Sequence, residues 1–257
     1  MGGASGAYGH GMSATGTKVA VVTGASSGIG EATAHRLATD GWDVVIGARR
    51  VGRLDSVARQ VGARALPLDV TDQASVDEFC AQVPSCQLLV NNAGGALGLG
   101  PVADADFDEW RWMYEANVIG AARMTKALLP ALEASGDGLV VVIGSIAGLE
   151  PYEGGAGYNA AKHAIRAIRT VLRYELIGRP VRVTEIDPGM VETEFSVVRF
   201  GGDTERAAKV YEGVTPLTAD DIAACVAWVA SLPSHVNIDQ LVVQPRDQAS
   251  ARRVARR

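Results

Sequence analysis

From Lys18 onward the chain repeats one pattern. A short run of β-branched or aliphatic residues is followed by a glycine-rich or polar break, then by a longer stretch with apolar positions three and four apart. The short runs occupy residues 19–23, 44–48, 64–69, 88–92, 139–144, 181–187 and 241–244. Most are apolar throughout rather than at alternate positions, as strands are when helices cover both faces of a parallel sheet. The helical stretches lie near 28–40, 50–61, 72–83, 107–134, 156–177 and 219–231. This alternation predicts an α/β, doubly wound domain over 18–245, with no repeat or linker to divide it. Residues 1–17 have no such periodicity and are expected to be a flexible leader, within which Met12 is a second candidate start.

One connection breaks the rhythm. About thirty residues separate Asp187 from the helix near 219, against a usual median of roughly 4–6. An insertion at the carboxyl end of a strand lies where open α/β sheets bind ligands. Residues 188–218 are therefore expected to form a substrate lid, with a sharp exit at Pro188–Gly189 and a small helix over 204–211.

Composition narrows the class. With 47% hydrophobic and 21% charged residues in 257, global disorder is excluded. Cys80, Cys86 and Cys225 form no CxxC pair, so a zinc ribbon or thioredoxin-type motif is excluded. His10, His35, His163 and His235 have no metal-ligand spacing, and no metal is expected. No run approaches the roughly 18 apolar residues of a membrane span. No basic stretch followed by an apolar core opens the chain, and a cytoplasmic location is expected. The net charge of −5 divides into +4 over residues 246–257 and −9 over the remainder. A short basic tail on an acidic body is expected to be mostly solvated, and nucleic-acid binding is not expected.

The first strand runs into Thr23-Gly24-Ala25-Ser26-Ser27-Gly28-Ile29-Gly30, and a helix opens at once. Glycines there let backbone approach a pyrophosphate, and the helix N-terminus offers free N–H groups and a positive dipole. About twenty residues on, an NAD site offers an acid to the ribose 2′-hydroxyl. This chain has Arg49 and Arg50 there, and no acid until Asp55. Guanidiniums suit a 2′-phosphate, so NADP is expected over NAD.

Tyr158 and Lys162 are four apart on a helical stretch and share a face. Ser145 closes the fifth strand run, and Asn117 lies in the preceding long helix. A phenol near pKa 10 is a poor acid–base catalyst at neutral pH unless a neighbouring cation stabilises its anion. Together, Thr23-Gly-x-x-x-Gly-x-Gly30, Asn91-Asn92-Ala93-Gly94, Asn117, Ser145, Tyr158-x-x-x-Lys162 and Pro188-Gly189-x-x-x-Thr193 resemble the short-chain dehydrogenase/reductase family over residues 18–245. The segments at 189–200 and 232–238 resemble its NADP-dependent 3-hydroxy acid (serine/allo-threonine) dehydrogenase branch.

The resemblance implies strand order 3-2-1-4-5-6-7 and a homotetramer built partly by the helices near 107–134 and 156–177. It implies that Tyr158 exchanges a proton with the substrate oxygen, Ser145 hydrogen-bonds that oxygen, and Lys162 holds the nicotinamide ribose and acidifies the tyrosine. Asn117 would position a relay water. Asp69 would contact the adenine, Asn92 the adenine-side ribose and Thr193 the carboxamide. Gly24, Ser26, Ser27, Gly28, Ile29, Gly30, Val70, Ala93, Gly94, Pro188, Gly189 and Val191 would line the cofactor. The implied substrates are small acids with a β-hydroxyl, or malonic semialdehyde in reverse. Arg199, the first lid cation after Thr193, is a candidate for the substrate carboxylate, with an ion pair to lid or neighbouring acids as the alternative. Trp110 and Trp112 read as packing or interface residues. Other functions to weigh are reduction of uncharged ketones or acyl-chain carbonyls, and a catalytically silent nucleotide sensor. The sensor would be expected to lack one of Ser145, Tyr158 and Lys162, and all three are present.

Overall fold

The computed structural model describes residues 18–257, so the leader and Met12 lie outside the described residues. Seven strands form one parallel sheet in the order β3-β2-β1-β4-β5-β6-β7. They are β1 (Val19–Thr23), β2 (Asp43–Ala48), β3 (Arg64–Pro67), β4 (Leu88–Asn91), β5 (Gly138–Ile143), β6 (Val181–Pro188) and β7 (Gln240–Val243). The helices are α1 (Gly28–Thr39), α2 (Val51–Val61), α3 (Gln73–Ala81), α4 (Phe107–Tyr114), α5 (Gly120–Ala134), α6 (Ala156–Glu175), α7 (Phe195–Arg199), α8 (Thr204–Lys209) and α9 (Ala219–Ser231).

Side chains alternate across each strand and feed two apolar layers. Val21, Val45, Leu89 and Val140 pack with Phe79 of α3, Met124 and Leu128 of α5 and Ile165 of α6. Ala20, Val22, Ile46 and Val141 pack on the other face with Leu37 of α1, Leu54 of α2 and Ile222 and Val226 of α9. Each fully buried aliphatic side chain contributes about 1.5–3 kcal/mol. The chain reverses direction across the sheet between β1 and β4, which opens a crevice at the strands' carboxyl ends.

The structure departs from the sequence reading in four places. Residues 107–134 are not one helix: a π turn over Glu115–Ile119 separates α4 from α5. Asp69 lies beyond β3, and Ser145 two residues beyond the end of β5. The lid holds two short helices, α7 and α8, where only one was expected. The basic tail is not merely solvated. Its backbone pairs with itself, Ala249 N–H to Arg253 and Ala255 N–H to Asp247, and with Gly213 through Arg257 N–H.

Candidate active site

A cleft of about 730 Å³ follows the carboxyl ends of the strands, from the glycine-rich turn to the lid. Every sequence-predicted site residue except Gly30 lines it. Gly30 lies behind the turn, where a Cβ would meet Gly24 carbonyl oxygen at 2.6 Å. Gly24 needs its positive φ of 68°, and a Cβ there would stand 2.8 Å from Ala93 Cα. The turn delivers the chain into α1, whose N-cap Ser27 makes no side-chain cap and whose first residues Gly28 and Ile29 line the cleft, which leaves the first-turn N–H groups without an intrahelical partner.

Arg50 is built into this end. Its Nε donates to Ser26 Oγ at 3.2 Å and its Nη2 to Ser27 Oγ at 2.5 Å. Its Nη1 pairs with Glu194 of the lid at 2.9 Å, and Arg53 pairs with the same carboxylate at 2.6 Å. These cations hold the Glu194 carboxyl down at about 2. Arg49 instead lies over the Trp112 ring, 5.8 Å from its centroid, and Trp112 lines the cleft rather than only packing. Asp69 and Val70 border the same end, but Asp69 Oδ1 accepts from Thr71 N–H and Oγ1 in a local turn. The Asn92 amide is likewise spent on the fold, donating to Thr23 carbonyl at 2.9 Å. Ala93 and Gly94 follow it along the floor.

At the other end, α6 presents Tyr158, Lys162, Ile165 and Arg169 on one buried face. Lys162 Nζ donates to Ile143 carbonyl at 2.9 Å, and burial lowers its pKa to about 8. Tyr158 is raised above an ordinary phenol, by burial foremost, then by Tyr152; Ser145 and Arg199 pull the other way. The sequence reading assigned the lowering to Lys162. The ammonium instead sits 5.7 Å from the ring centroid and is engaged by a carbonyl. Asn117 occupies the π turn, and its amide donates to Gly95 and Met113 carbonyls at 2.8 and 2.7 Å. A π turn loosens the helical ladder, and such turns recur at functional sites.

Pro188, Gly189, Val191 and Thr193 lead from β6 into the lid along the cleft wall. Phe195 and Arg199 then share a face of α7, and both meet Tyr158, at 5.5 and 5.8 Å from its centroid. Arg199 Nε donates to Gly98 carbonyl at 3.0 Å and its Nη1 to Tyr152 Oη at 2.7 Å. Its Nη2 is buried with no partner, and no acidic side chain among the described residues pairs with it.

Tyr152 and the tail residue Gln248 line the cleft without having been singled out in the sequence. Gln248 Oε1 accepts from Met190 N–H at 2.8 Å, which ties the tail to the base of the lid. The only signal for Tyr152 was its place six residues before Tyr158, in the loop leading into α6. For Gln248 there was none.

The short chain dehydrogenase family model matches residues 18–200. The chain belongs to the short-chain dehydrogenase family. It is an oxidoreductase of that family, with the parallel sheet and strand order the motifs implied. It is 58% identical over 246 residues to an uncharacterised oxidoreductase of Mycobacterium tuberculosis, covering 95% of this chain and 98% of the relative. It is 43% identical to an NADP-dependent 3-hydroxy acid dehydrogenase of Salmonella typhi, over 91% of this chain and 97% of that one. A closed form of serine dehydrogenase complexed with NADP+ superposes with a TM-score of 0.88 at 39% identity, covering 93% of this chain and 99% of the other. No helix among the described residues is long and apolar enough to cross a membrane.

Proposed function

We propose that this short-chain dehydrogenase moves a hydride between NADP(H) and a small 3-hydroxy acid of the serine, allo-threonine or 3-hydroxyisobutyrate class, or its 3-oxo counterpart. The observation that carries the substrate class is the buried, unpartnered Arg199 Nη2 beside Tyr158. A buried guanidinium N–H without an acceptor is costly, and a substrate carboxylate supplies one. The cofactor reading rests on the cleft's free helix N-terminus and on Arg50, already held by two serine hydroxyls at the turn. Similarity to relatives whose names specify NADP supports it.

When bound, the nicotinamide takes or gives the hydride, and its oxidised ring adds positive charge near the phenol. Tyr158 Oη receives the alcohol proton in oxidation and returns it in reduction. Ser145 Oγ hydrogen-bonds the same substrate oxygen and, with Arg199, favours the phenolate. Lys162, buried behind the phenol, holds the nicotinamide ribose. Asn117 keeps the π turn and Gly95 in place as the outer end of a proton path. Phe195 closes over Tyr158 and excludes water, which strengthens each of these interactions.

The chain assembles as a tetramer in this reading. Ile168, Val171 and Tyr174 are exposed on one side of α6, and Phe107 and Tyr114 on α4, which supports burial there against further copies. Light scattering on the purified protein checks the mass.

The deciding experiment is a panel of hydroxy acids and uncharged alcohols with NADP+, followed by absorbance of the reduced cofactor. Activity is expected with the acids. Arg199→Ala is expected to raise KM for serine by about 10–100-fold, the range for losing a charged hydrogen bond, and to leave KM for an uncharged alcohol nearly unchanged. Equal effects on both would favour ketones or acyl-chain carbonyls as the substrates.

A further inference from the structure

Strand β6 carries two carboxylates, Glu185 and Asp187, with no solvent exposure. Two residues apart, they project from one face of the strand. Glu185 is answered by Arg169, whose Nη2 and Nε donate to it at 2.7 and 3.0 Å. Arg169 also reaches Asp239 at 3.0 Å. Asp187 has no such guanidinium. Its Oδ1 accepts from the Ser145 N–H at 2.9 Å, and its Oδ2 accepts from Gln240 Nε2 of β7 at 2.6 Å. A side chain at Gly144 would overlap Asp187 Oδ1, so the carboxylate packs directly on the backbone that carries Ser145. Burial pushes the Asp187 carboxyl up, and Lys162 and then Arg166 oppose this through space without a direct ion pair. Lys162 Nζ is held close by, on the Ile143 carbonyl one residue before Gly144, against which Asp187 packs.

We propose that Asp187 is a positioning residue: it anchors the peptide bearing Ser145 and provides the counter-charge that keeps Lys162 protonated behind Tyr158. This rests on the roles given above to Ser145, Tyr158 and Lys162. Asp187 is faced by Lys162 and Arg166 from α6, by the Ser145 N–H after β5 and by Gln240 from β7, and Glu185 lies beside it on its own strand. Lys162 is faced by Asp187 and Glu185 from β6 and by the Tyr158 ring. Tyr158 is faced by Tyr152, Ser145, Arg199 and Asp187. Burial alone pushes Lys162 towards neutrality, and Asp187 is the first group that opposes it. In carbonyl reduction Tyr158 must hold its proton and Lys162 its charge. Losing the Asp187 charge makes both groups deprotonate at lower pH, so the alkaline limb of the rate profile moves down.

Asp187→Asn separates charge from anchoring, because the amide oxygen still accepts from Ser145 N–H and Gln240 can turn its own amide to match. The expected result is a kcat for reduction about tenfold lower at pH 8, with the alkaline limb moved down by about one pH unit. NADPH affinity by calorimetry stays within about twofold, since the residue acts through Lys162 and Ser145. Asp187→Ser removes the same charge while its hydroxyl oxygen can still accept from the Ser145 N–H, and it shifts the limb in the same direction. It decides the matter if Asp187→Asn does not fold. An unmoved limb, whatever happens to kcat, overturns the proposal. Tyr158→Phe run alongside separates the two failures: if it keeps full turnover, the catalytic roles themselves are wrong.

Discussion

Tyr158 is pulled in two directions. Burial raises its pKa, while Ser145 and Arg199 lower it. In the proposed reaction its phenol oxygen exchanges the substrate proton, so Tyr158→Phe is expected to lower kcat by about 10²–10⁴-fold, the usual worth of a positioned acid or base. NADPH binding by calorimetry should survive, because the ring still packs on Phe195. The two arginines after β2 are equivalent in sequence and not in space. Arg50 is locked to Ser26 and Ser27, whereas Arg49 leans on Trp112. Arg50→Ala should therefore raise KM for NADP+ by about tenfold or more and leave KM for NAD+ nearly unchanged. Arg49→Ala should have the smaller effect on NADP+. Initial rates with both cofactors check the order.

At the scale of elements, the start of the long connection after β6 is held from two sides. Glu194, just before α7, clasps Arg50 and Arg53 across the cleft, and Gln248 of the tail grips Met190. The Glu194 carboxyl is held at about 2, below its ordinary 4.5. A carboxyl lowered on folding stabilises the folded chain above its ordinary pKa, and that contribution fades as pH falls towards the lowered value. Glu194→Gln should thus lower Tm by a small, constant amount above about pH 4.5 and by progressively less below it. The pair is solvent-exposed, so the shift is modest. Melting curves of both proteins across that range measure it. The long connection after Asp187 announced an insertion bordering the cleft through its length, and Pro188–Gly189 its exit. The i,i+4 pairing of Phe195 with Arg199 was also open to reading, but five residues are too short for apolar periodicity to mark a helix.

Across the whole molecule, the strand–helix alternation, the glycine turn before a helix and the Tyr and Lys one turn apart were legible because each is a local pattern, whereas strand order and most cleft residues were implied only by the family resemblance. Less legible were contacts between residues far apart in sequence. Nothing local says that Gln248 will meet Met190, or that Asn117 will spend its amide on Gly95. Asp187 left a trace that was passed over. Strand β6 reads Val-Arg-Val-Thr-Glu-Ile-Asp-Pro, and carboxylates on a strand with neighbours on both sides are rarely buried without partners, which marks Glu185 and Asp187 for attention.

Trp112 has one more consequence. Four tryptophans are present, and of these Trp112 alone borders the cleft where the dinucleotide is expected. Reduced nicotinamide absorbs where indole emits, so energy transfer should make Trp112 a built-in optical gauge of occupancy. Emission should fall as NADPH is added, and Trp112→Phe should remove the greater part of that quench, giving release rates without any attached dye.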